Sequence, residues 1–113
     1  MMFDYSYDHV KIVEVGPRDG LQNEKMIISL ADKLKYIDLL YKSGLKTIEA
    51  TSFVRAPMIP QMADAFELMD SLNQNTDYEC ISFPCLVPNL KGLENAISVG
   101  VKDISLFSAT SDA

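Results

Sequence analysis

The 113-residue sequence predicts an α/β fold in which parallel strands are covered by helices. Three observations carry that expectation. Strand-type runs alternate with amphipathic helical stripes in the order β-α-β-α-β-α-β, the connections are short, and glycines stand where helices should stop and strands begin.

The first strand is predicted over His9–Val15, an alternating run rich in β-branched residues. It ends at Gly16-Pro17, a pair that cannot continue a ladder. Ser29 then offers a cap to the free N–H groups of a helix, and Asp32 places negative charge in its first turn. Leu30, Leu34, Ile37, Leu40 and Tyr41 supply the apolar stripe, and Gly44 the left-handed terminus. Leu45–Thr51 reads as the second strand. Pro60 suits the first turn of a second helix, with Met62, Ala65, Phe66, Met69 and Leu72 as its stripe. A third strand is predicted over Tyr78–Phe83, resuming at Cys85–Val87 around Pro84. Asn89 caps a third helix through Leu90, Leu93 and Ile97 to Gly100, and Lys102–Phe107 reads as a fourth strand. A weak repeat, Gly44–Ile48 against Gly100–Ile104, recurs at about two β/α units of a (β/α)8 barrel, which allots ~31 residues to each.

Composition narrows the function classes. Hydrophobic residues make up 48% and charged residues 23%, the balance of a folded chain and not of a disordered one. Ten basic against sixteen acidic side chains leave a net charge of −6, which argues against binding nucleic acid or an anionic membrane. Cys80 and Cys85 are too few for a disulfide scaffold, lack C-x-x-C spacing, and read as buried, reduced thiols. The acidic, aromatic opening MMFDYSYDHV has the marks of neither a signal nor a transit peptide. No apolar run approaches the ~20 residues of a membrane helix. A cytoplasmic chain, with no linker or domain boundary over 1–113, is the expectation.

Two architectures fit this order, a small open α/β sheet and the first half of a (β/α)8 barrel. Neither G-x-G-x-x-G nor a Walker A loop follows the first strand. Pro17-Arg18-Asp19-Gly20 stands there instead, at the strand end where either architecture places its chemistry. Asp19 suits a hard cation and Arg18 a developing oxyanion, although the same residues also suit a plain turn. Glu49, near the end of the second strand, reads as evenly for function, orienting Arg18 or binding a substrate, as for a structural ion pair or a solvent-facing strand position. The polar loop Gln22–Lys25 and the closing Ser108–Ser111 are either site linings or solvated segments, while His9 lies at the opposite end and reads as a surface residue.

VKIVEVGPRDGLQNEK (Val10–Lys25), GLKTIEATSFV (Gly44–Val54), PQM (Pro60–Met62) and LVPNLKGLENA (Leu86–Ala96) closely resemble the 3-hydroxy-3-methylglutaryl-CoA lyases. These belong to a wider group of metal-dependent carbon–carbon lyases and synthases. The resemblance runs from Lys11 to about the end of the chain. It implies a (β/α)8 barrel catalytic domain, of which 1–113 would be about the first half, truncated after the fourth strand. It further implies cleavage of the acyl-CoA substrate 3-hydroxy-3-methylglutaryl-CoA to acetyl-CoA and acetoacetate with Mg²⁺ or Mn²⁺. By matching motif, Asp19 would be a metal ligand, Arg18 and Glu49 catalytic, and Arg18, Gln22 and Ser52 substrate-facing.

The family's H-x-H metal ligands, its asparagine ligand and its catalytic cysteine have no counterpart in this sequence, whose one histidine is His9. A chain so composed is expected to be inactive alone. Its open strand edges would favour association, including homo-oligomers.

Overall fold

A computed structural model describes residues 10–55 and 57–106. His9, Phe107 and Ser108–Ser111 therefore lie outside the described residues. Three helices, α1 (Leu30–Lys42), α2 (Ala65–Gln74) and α3 (Leu90–Ser98), alternate with three short strands, β1 (Thr51–Ser52), β2 (Cys85–Leu86) and β3 (Ile104–Ser105).

The strands are parallel and ordered β1-β2-β3, with Thr51 opposite Cys85 and Cys85 opposite Ile104. Two isolated parallel bridges, Glu14 with Ile48 and Thr47 with Ser82, extend this sheet toward the start of the chain. The Glu14 amide donates to the Thr47 carbonyl at 3.0 Å, and the Glu49 amide to the Glu14 carbonyl at 2.8 Å. The predicted first strand is thus a single bridge in regular pairing, but it lies where a parallel 1-2-3-4 order puts it. Residues 47–53 are buried without alternation, as in a strand covered on both faces, whereas Val10, Ile12, Val13 and Val15 are exposed along the free edge.

The caps follow the sequence. Ser29 Oγ accepts from the Asp32 amide at 3.2 Å, and Asn89 Oδ1 from the Gly92 amide at 2.8 Å. Gly44 and Gly100 take φ of +100° and +85°, a left-handed conformation that costs a side chain ~1 kcal/mol or more. One core unites Ile37 of α1, Leu68, Met69 and Leu72 of α2, Ala96 of α3 and Ile48, Ala50, Phe83, Cys85 and Val87 between them. Among the described residues, no helix is long and apolar enough to cross a membrane.

Four expectations need correction. Tyr78 closes a 3-10 turn (Thr76–Tyr78) and does not open a strand, because the Asn75 side chain accepts from the Asp77 amide at 2.9 Å and holds the backbone in a turn. Pro60 starts a separate 3-10 turn (Pro60–Met62), so α2 begins later and its stripe rotates: Leu68 is 0% exposed and Phe66 50%. On α3, Leu90 and Ile97 face outward while Gly92 and Ala96 are buried. A Cβ on Gly92 would stand 2.5 Å from the Phe53 carbonyl oxygen, so the helix approaches the strand-end segment too closely for a large side chain. The two thiols also differ: Cys85 is buried, but Cys80 is exposed.

Candidate active site

The site is built on the loop that leaves the Glu14 bridge. Gly16–Gly20 form a single π-helical turn in which the Val15 carbonyl receives the amides of Arg18 (3.2 Å), Asp19 (2.7 Å) and Gly20 (3.3 Å). Such turns bulge a backbone outward and recur at functional positions. Pro17 at the start of the turn is buried and presets its φ. Gly16 lies against the Tyr36 hydroxyl, so a side chain there would have to displace the end of the Tyr36 ring. The Gly16 amide donates to Glu14 Oε2 at 3.0 Å. Burial, and then the charge of Glu14, push the Tyr36 hydroxyl above its ordinary pKa, so it stays a neutral floor beneath the turn.

This turn brings Arg18 to Glu49. Arg18 Nε donates to Glu49 Oε1, and Arg18 Nη1 lies 3.4 Å from Asp19 Oδ1. Glu49 is 5% exposed, and the Arg18 side chain is mostly buried. The Asp19 side chain is 54% exposed. Pairing through Nε fixes the guanidinium plane and leaves most of its terminal N–H groups for another oxygen. Asn23 Nδ2 donates to the Asp19 carbonyl at 2.9 Å and closes the loop on itself.

Gln22 contributes a buried Oε1 with no hydrogen-bond partner among the described residues. A buried acceptor left unpaired costs ~1–3 kcal/mol, a cost a bound donor would remove. Ser52 is buried in β1, and no side-chain hydrogen bond joins it to Arg18 or Glu49 among the described residues. The loop thus assembles Arg18, Asp19 and Glu49 and leaves Ser52 apart from that hydrogen-bonded set. Cys85, next to this set, has its thiol pushed up to about 12, by burial first and the Glu49 charge second, so it is no nucleophile.

Lys33 was not anticipated as a buried group. It is 2% exposed, with Nζ on the Gln61 carbonyl and 2.7 Å from Asp64 Oδ1. Its position between Leu30 and Ile37 at helical spacing was the available signal, obscured because lysine normally sits at the surface.

The donor set bears on a divalent cation. Glu49 is engaged by Arg18, which leaves Asp19 as the carboxylate of this loop open to a metal. No group of three or more His, Cys, Asp or Glu able to hold an ion occurs among the described residues. A hard cation taking ~six oxygens is not held by these residues alone.

A parallel β/α layer in sequential strand order, with its paired charges gathered where strands give way to loops, is the arrangement a segment of a (β/α)8 barrel would have. The family model described as HMGL-like matches residues 9–113, and the chain belongs to that family. It is 52% identical over 103 residues to the mitochondrial hydroxymethylglutaryl-CoA lyase of Macaca fascicularis, covering 91% of this chain and 31% of that one. Among solved structures, hydroxymethylglutaryl-CoA lyase from Pseudomonas aeruginosa superposes with a TM-score of 0.83 at 46% identity, over 91% of this chain and 33% of that chain. An HMG-CoA lyase from A. baumannii in complex with coenzyme A and 3-methylmalate gives 0.80 at 34% identity, over 93% and 33%. The chain spans about a third of the length of the curated relatives it matches. Its fold is a partial (β/α)8 barrel, and its relatives are enzymes named as lyases.

Proposed function

We propose that this chain, read as part of one barrel domain without an internal boundary, supplies the Arg18–Asp19–Glu49 portion of a site that cleaves 3-hydroxy-3-methylglutaryl-CoA to acetyl-CoA and acetoacetate. The single observation that carries this reading is the Arg18–Glu49 ion pair at the strand end. In a retro-Claisen cleavage the tertiary hydroxyl gives its proton to a base, and its carbon becomes the ketone of acetoacetate as the adjacent carbon–carbon bond breaks. The electrons pass to the thioester as an enolate, whose carbon then takes up a proton to become acetyl-CoA, so that one proton is removed and one returned. Arg18, oriented by Glu49, offers its remaining N–H groups to that enolate oxygen, where a preorganised donor contributes ~3–4 kcal/mol. The buried Oε1 of Gln22 accepts from a substrate donor. A divalent cation, Mg²⁺ or Mn²⁺, would take Asp19 as one ligand and draw the others from outside the described residues. Ser52 faces substrate by motif alone.

The test is a chimera in which residues 10–106 replace the matching segment of the Pseudomonas aeruginosa relative. Acetoacetate release at a rate within about tenfold of the parent supports the reading, and no release from a folded, metal-loaded chimera overturns it. Residues 1–113 by themselves are expected to bind Mn²⁺ more weakly than micromolar in calorimetry, since Asp19 gives one ligand. The free thiols suit a reducing cytoplasm, and relatives named as cytoplasmic and as mitochondrial both match. A second reading, association with another copy without catalysis, draws on the exposed apolar edge from Val10 to Val15. Turnover of the chimera separates the two: a chain that self-associates in light scattering but yields a folded, metal-loaded chimera without acetoacetate release fits the second.

A further inference from the structure

We propose that Lys33, given Arg18 and Gln22 as substrate-facing groups, is a positioning residue that sets their loop from a distance. Its ammonium holds two acceptors on the segment before α2, the Gln61 carbonyl and Asp64 Oδ1 at 2.7 Å. Asp64 is the residue before α2 and makes no side-chain cap there, its carboxylate being turned to Lys33 instead. Fixed in this way, Gln61 extends its own side chain back, and Nε2 donates to the Glu24 carbonyl at 2.6 Å. The Glu24 amide binds the Leu21 carbonyl at 3.2 Å, and Asn23 Nδ2 the Asp19 carbonyl at 2.9 Å. Three hydrogen bonds, joined through the covalent frames of Gln61 and Glu24, thus link Lys33 to the Arg18–Gln22 loop.

Burial makes the case against a merely space-filling lysine. A methionine at position 33 would fill similar volume without desolvating a charge, and exchanging buried ion pairs for apolar groups is often neutral or stabilising. What an apolar side chain cannot do is hold the Gln61 carbonyl and so aim the Gln61 amide at Glu24. The 3-10 turn Pro60–Met62 has no side-chain cap at its N-terminus, and what holds it from outside is the Lys33 ammonium donating to the Gln61 carbonyl within it.

The test is ¹H–¹⁵N NMR and amide exchange on the full chain, comparing Lys33→Met, Gln61→Met and the double variant. Each single variant should raise exchange at residues 19–24 about tenfold and shift the Arg18 Nε–H resonance, and the double variant should add little to either. Gln61→Met keeps the Lys33 contacts, so it should do this with Tm unchanged. An unchanged Arg18 resonance and loop protection in folded Lys33→Met would overturn the proposal. If Lys33→Met does not fold, unchanged loop protection in Gln61→Met overturns it equally. None of these readouts needs turnover. A loosened loop beside an inactive chimera would defeat the lyase reading and keep the tether, and the converse would defeat the tether alone.

Discussion

At the end of the strands that carries Arg18, two opposite charges meet almost out of solvent and Gln22 keeps a buried oxygen with no partner among the described residues. At the other end, Tyr78 donates to Asp38 at 2.7 Å and packs edge-on against Tyr41 and Phe83, with ring centroids 4.9 and 5.5 Å apart. Both ends commit polar groups to tertiary structure, but among the described residues only the first leaves a buried side-chain oxygen unpaired. Burial and the Asp38 bond push the Tyr78 hydroxyl well above its ordinary pKa, so it remains a neutral donor committed to its partner. Chemistry needs uncommitted groups held rigidly, and the Arg18 end supplies them.

The sharpest way to break this contrast is Arg18→Gln in the chimera. If the Arg18 end acts on the transition state, kcat should fall about a thousandfold, ~4 kcal/mol, with KM little changed. A kcat within about twofold of the parent would remove Arg18 from the reaction. Next in size is Glu49→Leu, which leaves the Arg18 charge mostly buried and unpaired. A loss of about 2–3 kcal/mol in urea unfolding is expected, less than for a fully buried pair because Arg18 retains some contact with water. Double substitution to Arg18→Met and Glu49→Leu should recover most of that loss, since no orphaned charge remains.

Alkaline titration probes the sheet between the two ends. The Cys85 thiol is raised from 9.0 to about 12, mainly by burial, so the folded chain keeps a proton that the unfolded chain releases. The stabilisation is complete below pH 9 and declines as pH rises toward 12, by about 1 kcal/mol over the first unit. Tyr78, also raised, adds to the decline above pH 10. Cys85→Ala should flatten the stability curve between pH 9 and 10, where Tyr78 contributes little. A slope left unchanged in that variant would mean that the Cys85 thiol is not the titrating group.

Much of the architecture was legible because it rests on local rules. Ser29, Asn89, Gly44 and Gly100 each act through backbone geometry within a few residues, and all four do what their types require. The parallel order followed from alternation and short connections. The phase of α2 was missed because the Pro60 turn detaches three residues from the helix, and periodicity does not register a break between 3-10 and α geometry. The outward face of α3 was missed because a long-range approach, Gly92 under the Phe53 carbonyl, decides which side is buried. At the site, the motif named Arg18, Asp19, Glu49 and Gln22 but not their geometry. The pairing of Glu49 with Arg18 was one of the readings the sequence offered and is the one observed, while the bracing of the loop by Lys33 and Gln61 depends on contacts 28 and 37 residues apart that no local pattern announces.

The smallest expected effect is also the cleanest test of the opposite end. Tyr78→Phe removes one hydroxyl and keeps the ring that stacks between Tyr41 and Phe83. The lost hydrogen bond ends on Asp38, which also holds Lys42 at 2.9 Å and stays in contact with water, so no buried acceptor is stranded. A neutral donor to such a carboxylate contributes about 1 kcal/mol, and urea unfolding of Tyr78→Phe should show a loss of that order. Asp38 is held below its ordinary pKa by Lys42 first and Tyr78 second, so its stabilisation is present above the normal carboxylate range and fades as pH falls through the lowered value. The variant should therefore differ from the parent at neutral pH and converge with it in acid. In the chimera its kcat should stay within about twofold of the parent, because Tyr78 touches nothing on the Arg18 loop. A tenfold loss of kcat with stability intact would show that the two ends are coupled, and the division of labour between them would have to be abandoned.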